Sequence, residues 1–200
     1  MDVSKQRLLL ATCNGHKTDE VREIMGPSWL VEDLTMRSDG IEVEETGVTF
    51  RENAIIKALA AAPSEDGWVL ADDSGLEVDA LGGAPGVRSA RFAGNHADMA
   101  RNRSLLMEKL AEVSGVDRRA RFRCVLALVK EGELVQTFEG KIEGMITLAQ
   151  RGSNGFGYDP LFVPEGKSQT FAEMPAMEKH SLSHRGRALV ALERFFRRQV

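Results

Sequence analysis

The segment Trp68-Val69-Leu70-Ala71-Asp72-Asp73-Ser74-Gly75 places two adjacent carboxylates directly after a short apolar run. A run of this length reads as a buried strand, and Ser74-Gly75 reads as the break that ends it at the acids. Neighbouring carboxylates are costly to desolvate and repel each other unless a cation or hydrogen-bond donors hold them. A hard metal ion meets that need, and Mg²⁺ is the usual occupant of such oxygen sites. An isolated Asp-Asp pair can equally be a solvated turn. Here the chain continues from Leu76 to Gly86 as a second short strand and a glycine-rich loop, and that context favours chemistry over a plain turn.

Three further clusters carry groups of the right kind. Thr12-Cys13-Asn14-Gly15-His16-Lys17 is a polar loop before a helix, where free backbone N–H groups, the positive end of the helix dipole and a lysine suit phosphate oxygens. It lacks the GxxxxGK[ST] pattern of a P-loop, and an ordinary capping loop would look similar. Gly152-Ser153-Asn154-Gly155-Phe156-Gly157-Tyr158-Asp159-Pro160 offers two flat rings beside a carboxylate, on which a base could stack and hydrogen-bond. A glycine-rich turn with core aromatics fits the same residues. Lys179-His180-Ser181-Leu182-Ser183-His184-Arg185-Gly186 crowds two serines, two histidines and two cations before the last helix, more than a single cap requires. An acidic patch, Glu42-Val43-Glu44-Glu45-Thr46-Gly47, supplies Glu44 or Glu45 as a companion to Asp73, although acids before a helix also suit its dipole.

The elements that must position these groups can be outlined. A strand is expected over Arg7 to Ala11, then a helix to Met25 stopped by Gly26-Pro27. Thr49-Phe50-Arg51-Glu52 has capping-box spacing, and the helix it opens puts Asn53 and Lys57 on one face. Trp68 to Asp72 is the next strand, and a third helix covers Ala97 to Val113 before Ser114-Gly115. Ala120 to Val129 and Leu134 to Phe138 form a hairpin around Lys130-Glu131-Gly132-Glu133. The last helix, Arg187 to Arg198, sets Leu189, Leu192, Phe195 and Phe196 on one stripe. Early alternation of helix and strand with a central hairpin predicts an α/β fold with a mixed sheet.

Composition narrows the classes. Two hundred residues that are 42% hydrophobic can bury one sizeable core, so one domain is expected. A net charge of −4 gives no general nucleic-acid surface, and the basic run Arg118 to Arg123 lacks interleaved aromatics. Cys13 and Cys124 are no disulfide framework, and no stretch reaches membrane-spanning length. A cytoplasmic protein, bound to neither membrane nor nucleic acid, is the expectation.

Taken in order, these segments resemble the inosine triphosphate pyrophosphatase family, also called dITP/XTP pyrophosphatases. The likeness rests on Ala11 to Lys17, Glu44 to Phe50, Glu52-Asn53-Ala54, Lys57, Ala71 to Gly86, Gly155 to Pro160 and Ser183 to Gly186, and so spans nearly the whole chain. It implies Mg²⁺-dependent hydrolysis of inosine, deoxyinosine and xanthosine triphosphates to the monophosphate and pyrophosphate. It also implies an elongated mixed sheet with flanking helices and two lobes around a nucleotide groove, in one pyrophosphatase domain over residues 1–200, usually as a homodimer. Under the resemblance Asp73 is the catalytic base and a metal ligand, Glu44 assists the metal and Asp72 contributes. The loop Thr12, Cys13, Asn14, Gly15, His16 and Lys17, with Lys57 and Ser74, holds the triphosphate. Phe156 stacks on the purine, and Gly157, Tyr158, Asp159, Lys179, His184 and Arg185 line the base and sugar pocket.

The family's first motif usually reads Thr/Ser-Gly-Asn-x-Gly-Lys, whereas this chain carries Cys13 and His16 at the two glycine positions. Thr12, Asn14 and Lys17 remain, so Cys13→Gly and His16→Gly should leave turnover nearly unchanged. Two other readings stay open on the residues alone. A haloacid-dehalogenase-type phosphatase also places acids after an apolar strand, but it wants Asp-x-Asp, and position 74 is serine. A non-catalytic nucleotide-binding protein would hold triphosphates without turnover.

Overall fold

The computed structural model describes residues 6–36, 43–62, 67–94, 98–113 and 117–199. Met1 to Lys5, Glu42 of the acidic patch, Ala97 at the expected start of the third helix and Ser114-Gly115 beyond its end lie outside the described residues. Strand β1 (Gln6–Leu10) buries Leu8, Leu9 and Leu10 together, which is the signature of a strand covered on both faces. It pairs in parallel with β2 (Trp29–Asp33) on one side and β3 (Trp68–Val78) on the other. With β4 (Arg119–Lys130), β5 (Glu133–Ile146) and β6 (Phe162–Pro164) these make one six-stranded sheet ordered β2-β1-β3-β4-β5-β6. The β5–β6 pair is antiparallel, so the sheet is mixed, as expected.

The helices follow from their ends. In α1 (Gly15–Met25), the Asn14 side chain accepts from the His16 and Lys17 amides, and Gly26 at φ 71° stops the helix. In α2 (Phe50–Ala61), Thr49 and Glu52 form the reciprocal capping box that their spacing promised. Gly47 sits against this helix start, where a Cβ would lie 2.6 Å from Asn53 Oδ1, so no other residue fits without displacement. Helix α3 (Met99–Ala111) is capped by Asp98. Helices α4 (Ala176–Leu182) and α5 (His184–Arg197) complete the set, with α5 starting three residues before the expected Arg187.

The chain divides into two compact units: Met1–Asp73, Cys124–Glu139 and Gly186–Val200 form the first, Ser74–Arg123 and Gly140–Arg185 the second. The first unit's core gathers Leu8, Leu10, Val21, Leu70, Leu126 and Leu128 with Leu189 and Leu192 of the α5 stripe. Phe196 of that stripe packs on Trp29 and Trp68 at 4.6 and 5.2 Å between ring centroids. The second unit's core gathers Leu76, Val78, Leu106, Leu110, Phe122, Phe162 and Phe171.

Two expectations need correction. Ser74-Gly75 does not end the strand: β3 runs on to Val78, because Leu76 and Val78 are both fully buried in the second core. Burial of two large apolar side chains, about 1.5–3 kcal/mol each, outweighs the weak breaking tendency of one serine and one glycine. Likewise, β5 extends to Ile146 rather than stopping at Phe138, since Ile142 and Ile146 alternate into the same core. The turn between β4 and β5 is as expected, with Glu131 and Gly132 at φ 52° and 77°, the left-handed pair that a two-residue hairpin needs.

Candidate active site

Because β3 continues through the acids, strand alternation sends the side chains of Asp72 and Asp73 to opposite faces. Their mutual repulsion is thereby eased, and each meets its own lysine. Asp72 Oδ1 lies 2.6 Å from Lys17 Nζ, and Asp73 Oδ1 lies 2.6 Å from Lys57 Nζ. The two lysines converge again on the Asp72 carbonyl oxygen, to which Lys57 donates at 2.9 Å and Lys17 at 3.2 Å. Lys57 also donates to Glu45 Oε1 at 2.8 Å. On the other side of Asp72, the Cys124 thiol donates to Oδ2 at 3.2 Å.

Asp72, Asp73 and Glu45 thus gather around two ammonium groups in the first unit. One oxygen, Asp73 Oδ2, is buried without a hydrogen-bond partner among the described residues. Burial pushes the Asp73 carboxyl above the usual aspartate range; Lys57 and Lys17 pull it down, and Glu45 adds to the rise. For Lys57, burial acts to lower the ammonium pKa, but Asp73 and Glu45 together outweigh it and hold the pKa above the usual lysine value. The result is a charged lysine bound to a carboxylate of raised basicity, a proper pairing for proton abstraction.

A divalent cation fits this donor set. Among the described residues, no group of three or more His, Cys, Asp or Glu side chains forms a cage. Mg²⁺ rarely needs one, since it takes one or two carboxylates and fills the rest of its octahedron with water and phosphate oxygens. The bare oxygen of Asp73 is the feature such an ion would use.

The loop before α1 is tied largely to itself. Thr12 Oγ1 accepts from the Asn14 amide at 3.1 Å, and Asn14 Oδ1 caps the His16 and Lys17 amides at 3.1 and 3.4 Å. Cys13, Gly15 and His16 are exposed, and Cys13 is a free thiol. Of the two acids expected near the metal, Glu44 is exposed, while Glu45 reaches the Lys57–Asp73 pair.

The second unit assembles a different cluster. Asp159 Oδ2 lies 2.6 Å from Lys179 Nζ and accepts from the Phe156 amide at 2.8 Å. The Lys179 ammonium stands 5.1 Å from the centroid of the Phe156 ring, and the Arg185 guanidinium carbon 5.6 Å. Arg185, only 1% exposed, also donates to Ser74 Oγ at 2.9 Å. Gly155, at φ 69°, is required here, because a Cβ would collide with Asp159 Oδ2. The His184 ring stacks on Phe122 at 4.7 Å and 9° between planes. Phe156, Asp159, Lys179, Arg185 and Ser74 therefore come together as a group, and His184 packs on Phe122. Tyr158 does not join them: it is buried, its hydroxyl donates to the Ser89 carbonyl at 2.9 Å, and burial pushes its pKa far up. Sequence reasoning missed Cys124, whose place beside Asp72 has no signal beyond its position in an apolar strand.

Fold and side chains define a mixed α/β protein with an acid–lysine cluster in one unit and an aromatic–cation cluster in the other. The chain belongs to the Ham1 family, which it matches over residues 8–195. It is 51% identical to a dITP/XTP pyrophosphatase of Desulforamulus reducens, over 92% of each chain. It is 48% identical to a dITP/XTP pyrophosphatase of Exiguobacterium sibiricum, over 94% of this chain and 95% of that one. Among solved structures, the Staphylococcus aureus Ham1 protein superposes with a TM-score of 0.85 at 37% identity, covering 98% of this chain and all of that one. The family resemblance drawn from the motifs is thereby borne out.

Proposed function

We propose that the chain is a nucleoside-triphosphate pyrophosphatase that hydrolyses inosine, deoxyinosine and xanthosine triphosphates to the monophosphate and pyrophosphate. The observation that carries this reading is Asp73: one oxygen is anchored on Lys57 and the other is buried without a partner. Membership of the family and the dITP/XTP pyrophosphatase relatives support it. In the proposed mechanism Asp73 orients a water molecule and takes its proton, with its raised pKa matched to that task. Lys17 and Lys57, with Ser74 and the loop Thr12 to Lys17, bind the phosphate oxygens and offset the charge that builds at the reacting phosphorus. Asp73 and Glu44 would hold Mg²⁺, and the ion would supply Lewis-acid polarisation of phosphoryl oxygens.

Phe156 takes the face of the purine, and Gly157, Asp159, Lys179, His184 and Arg185 form or back the base and sugar site, while Tyr158 supports the loop from the core through Ser89. A fixed cation such as Arg185 prefers the acceptor O6 of hypoxanthine or xanthine and meets a donor amine in adenine, a mismatch large enough to discriminate. Clearing deaminated purines from the nucleotide pool is the role that such selectivity serves. Action as one domain over residues 1–200, assembly as a homodimer and a cytoplasmic location belong to the same proposal. No helix among the described residues is long and apolar enough to cross a membrane.

Product analysis tests the reading. Wild type with Mg²⁺ should release pyrophosphate and the monophosphate from inosine triphosphate and leave ATP and GTP nearly untouched. Chelation of the metal should stop it, and Asp73→Asn should lose it. Release of inorganic phosphate would indicate a phosphatase; binding without turnover would indicate a nucleotide-binding protein.

A further inference from the structure

The Phe156 ring is useful as a stacking surface only if its backbone is held, because a mobile platform would spend binding energy on its own ordering. All four backbone polar groups of Phe156 and Gly157 are accounted for. The Phe156 amide donates to Asp159 Oδ2 at 2.8 Å, and the Phe156 carbonyl accepts from the Asp159 amide at 3.1 Å. The Gly157 amide donates to the Met99 sulfur at 3.3 Å, and the Gly157 carbonyl accepts from Arg103 Nη1 at 2.9 Å. Met99 and Arg103 are four residues apart, hence on one face of α3. Arg103 reaches further: its Nε donates to Gln150 Oε1 at 2.6 Å, so one guanidinium ties together two points of the same loop seven residues apart. Gly157 itself stands at φ 59°, a conformation that leaves both its polar groups pointing away from regular pairing.

We infer that the Met99–Arg103 face of α3 is a positioning device for Phe156, setting affinity for the purine without touching the nucleotide. The inference rests on the proposed role of Phe156 as the base-stacking ring. It assigns to α3 a part in base affinity through residues that the sequence alone does not single out. Arg is suited to the task because its planar fork can serve Gln150 and Gly157 at once, which a lysine cannot.

The test uses Arg103→Ala, Arg103→Lys and Met99→Leu in the full chain. Amide hydrogen exchange at residues 156 and 157 should quicken by about tenfold in Arg103→Ala, on losing one charge-assisted hydrogen bond, with the rest of the second unit unchanged. The KM for inosine triphosphate should rise by about tenfold with kcat within about twofold, because stacking is lost equally from ground and transition states. Inhibition by inorganic tripolyphosphate, which has no base, should be unaffected. Arg103→Lys should fall between, and Met99→Leu should quicken exchange at Gly157 with a smaller change in KM. Unchanged exchange would overturn the clamp, and quickened exchange with unchanged KM would overturn its link to the purine. Equal weakening of tripolyphosphate and inosine triphosphate would reduce Arg103 to general structural support, which also overturns the inference. If the wild type makes no pyrophosphate from inosine triphosphate, the functional reading fails separately, and the clamp is still judged by exchange.

Discussion

The two clusters are built from the same materials, acids and lysines, but they differ in what is left over. In the second unit Asp159 and Lys179 form a buried pair, their side chains only 4% and 5% exposed, and Asp159 Oδ2 serves two donors. In the first unit Asp72, Asp73 and Glu45 share Lys17 and Lys57, and Asp73 keeps one buried oxygen without a partner among the described residues. A closed pair fixes geometry; an incomplete one stores a demand that a ligand can satisfy. The first pattern suits a residue that orients a ring, the second a residue that does chemistry. This difference was invisible in composition, where both are simply charged segments.

The largest effect expected from breaking the contrast is at Asp73. Asn keeps the shape and the contact with Lys57 but cannot take a proton, so kcat should fall by about 10²–10⁴-fold, the usual contribution of a general base. Stability should change little, since Lys57 retains Glu45 and the Asp72 carbonyl. An Asp73→Asn protein with a much lower Tm and an undiminished kcat would show Asp73 to be a structural acid like Asp159.

Lys179→Met should do the reverse. It takes the Lys179 cation away from a buried carboxylate, and breaking a buried pair in this way costs about 3–5 kcal/mol of stability. Thermal denaturation measures it, and Lys179→Met combined with Asp159→Leu should recover part of the loss in Tm. If the single variant lost almost none, the pair would not be the closed structural element described.

How much of this was legible in the sequence depended on whether the signal was local. Capping at Thr49 and Glu52, the Glu131-Gly132 turn and the α5 stripe are all decided within a few residues, and each was readable. The course of β3 was not, because Ser74-Gly75 is a break locally, and only the burial of Leu76 and Val78 in a second core overrules it. That single misreading concealed the opposite facing of Asp72 and Asp73. Strand β2 was overlooked because Trp29 to Asp33 is short and ends in two acids; pairing along the whole of β1 makes it a strand. The membership of the Phe156 group was legible as residue types, whereas the exclusion of Tyr158 and the reach of Arg103 depend on tertiary contacts.

A smaller effect is expected from pH. Asp73 works ionised, and its pKa lies above 3.8, so kcat/KM should be full at higher pH and decline as pH falls through that raised value. Lys57 is held above 10.5, so it stays charged throughout this range and contributes nothing to the acid limb by titrating. Its charge does lower the Asp73 pKa, however, so Lys57→Met should move the acid limb of the residual activity to higher pH. A limb that stayed in place would mean that Asp73 and Lys57 are not coupled as their 2.6 Å contact requires.

The smallest effect should come from the two residues that depart most visibly from the family motif. Cys13 and His16 stand where glycines are usual, and a side chain there would matter if the backbone had to lie against phosphate at both positions. Neither residue carries a positive φ, so neither backbone is in the conformation that demands glycine. Both residues are exposed, and the loop's shape is set by Thr12 and by the Asn14 cap rather than by either of them. Cys13→Gly and His16→Gly should therefore change kcat by less than about twofold, and glycine's extra freedom in the unfolded chain should cost only about 0.5–1 kcal/mol at each position. Steady-state rates with inosine triphosphate check this. A gain in kcat/KM would show that the side chains hinder the phosphates, and a large loss would show that the thiol or the imidazole has joined the site that the acid–lysine cluster leaves incomplete.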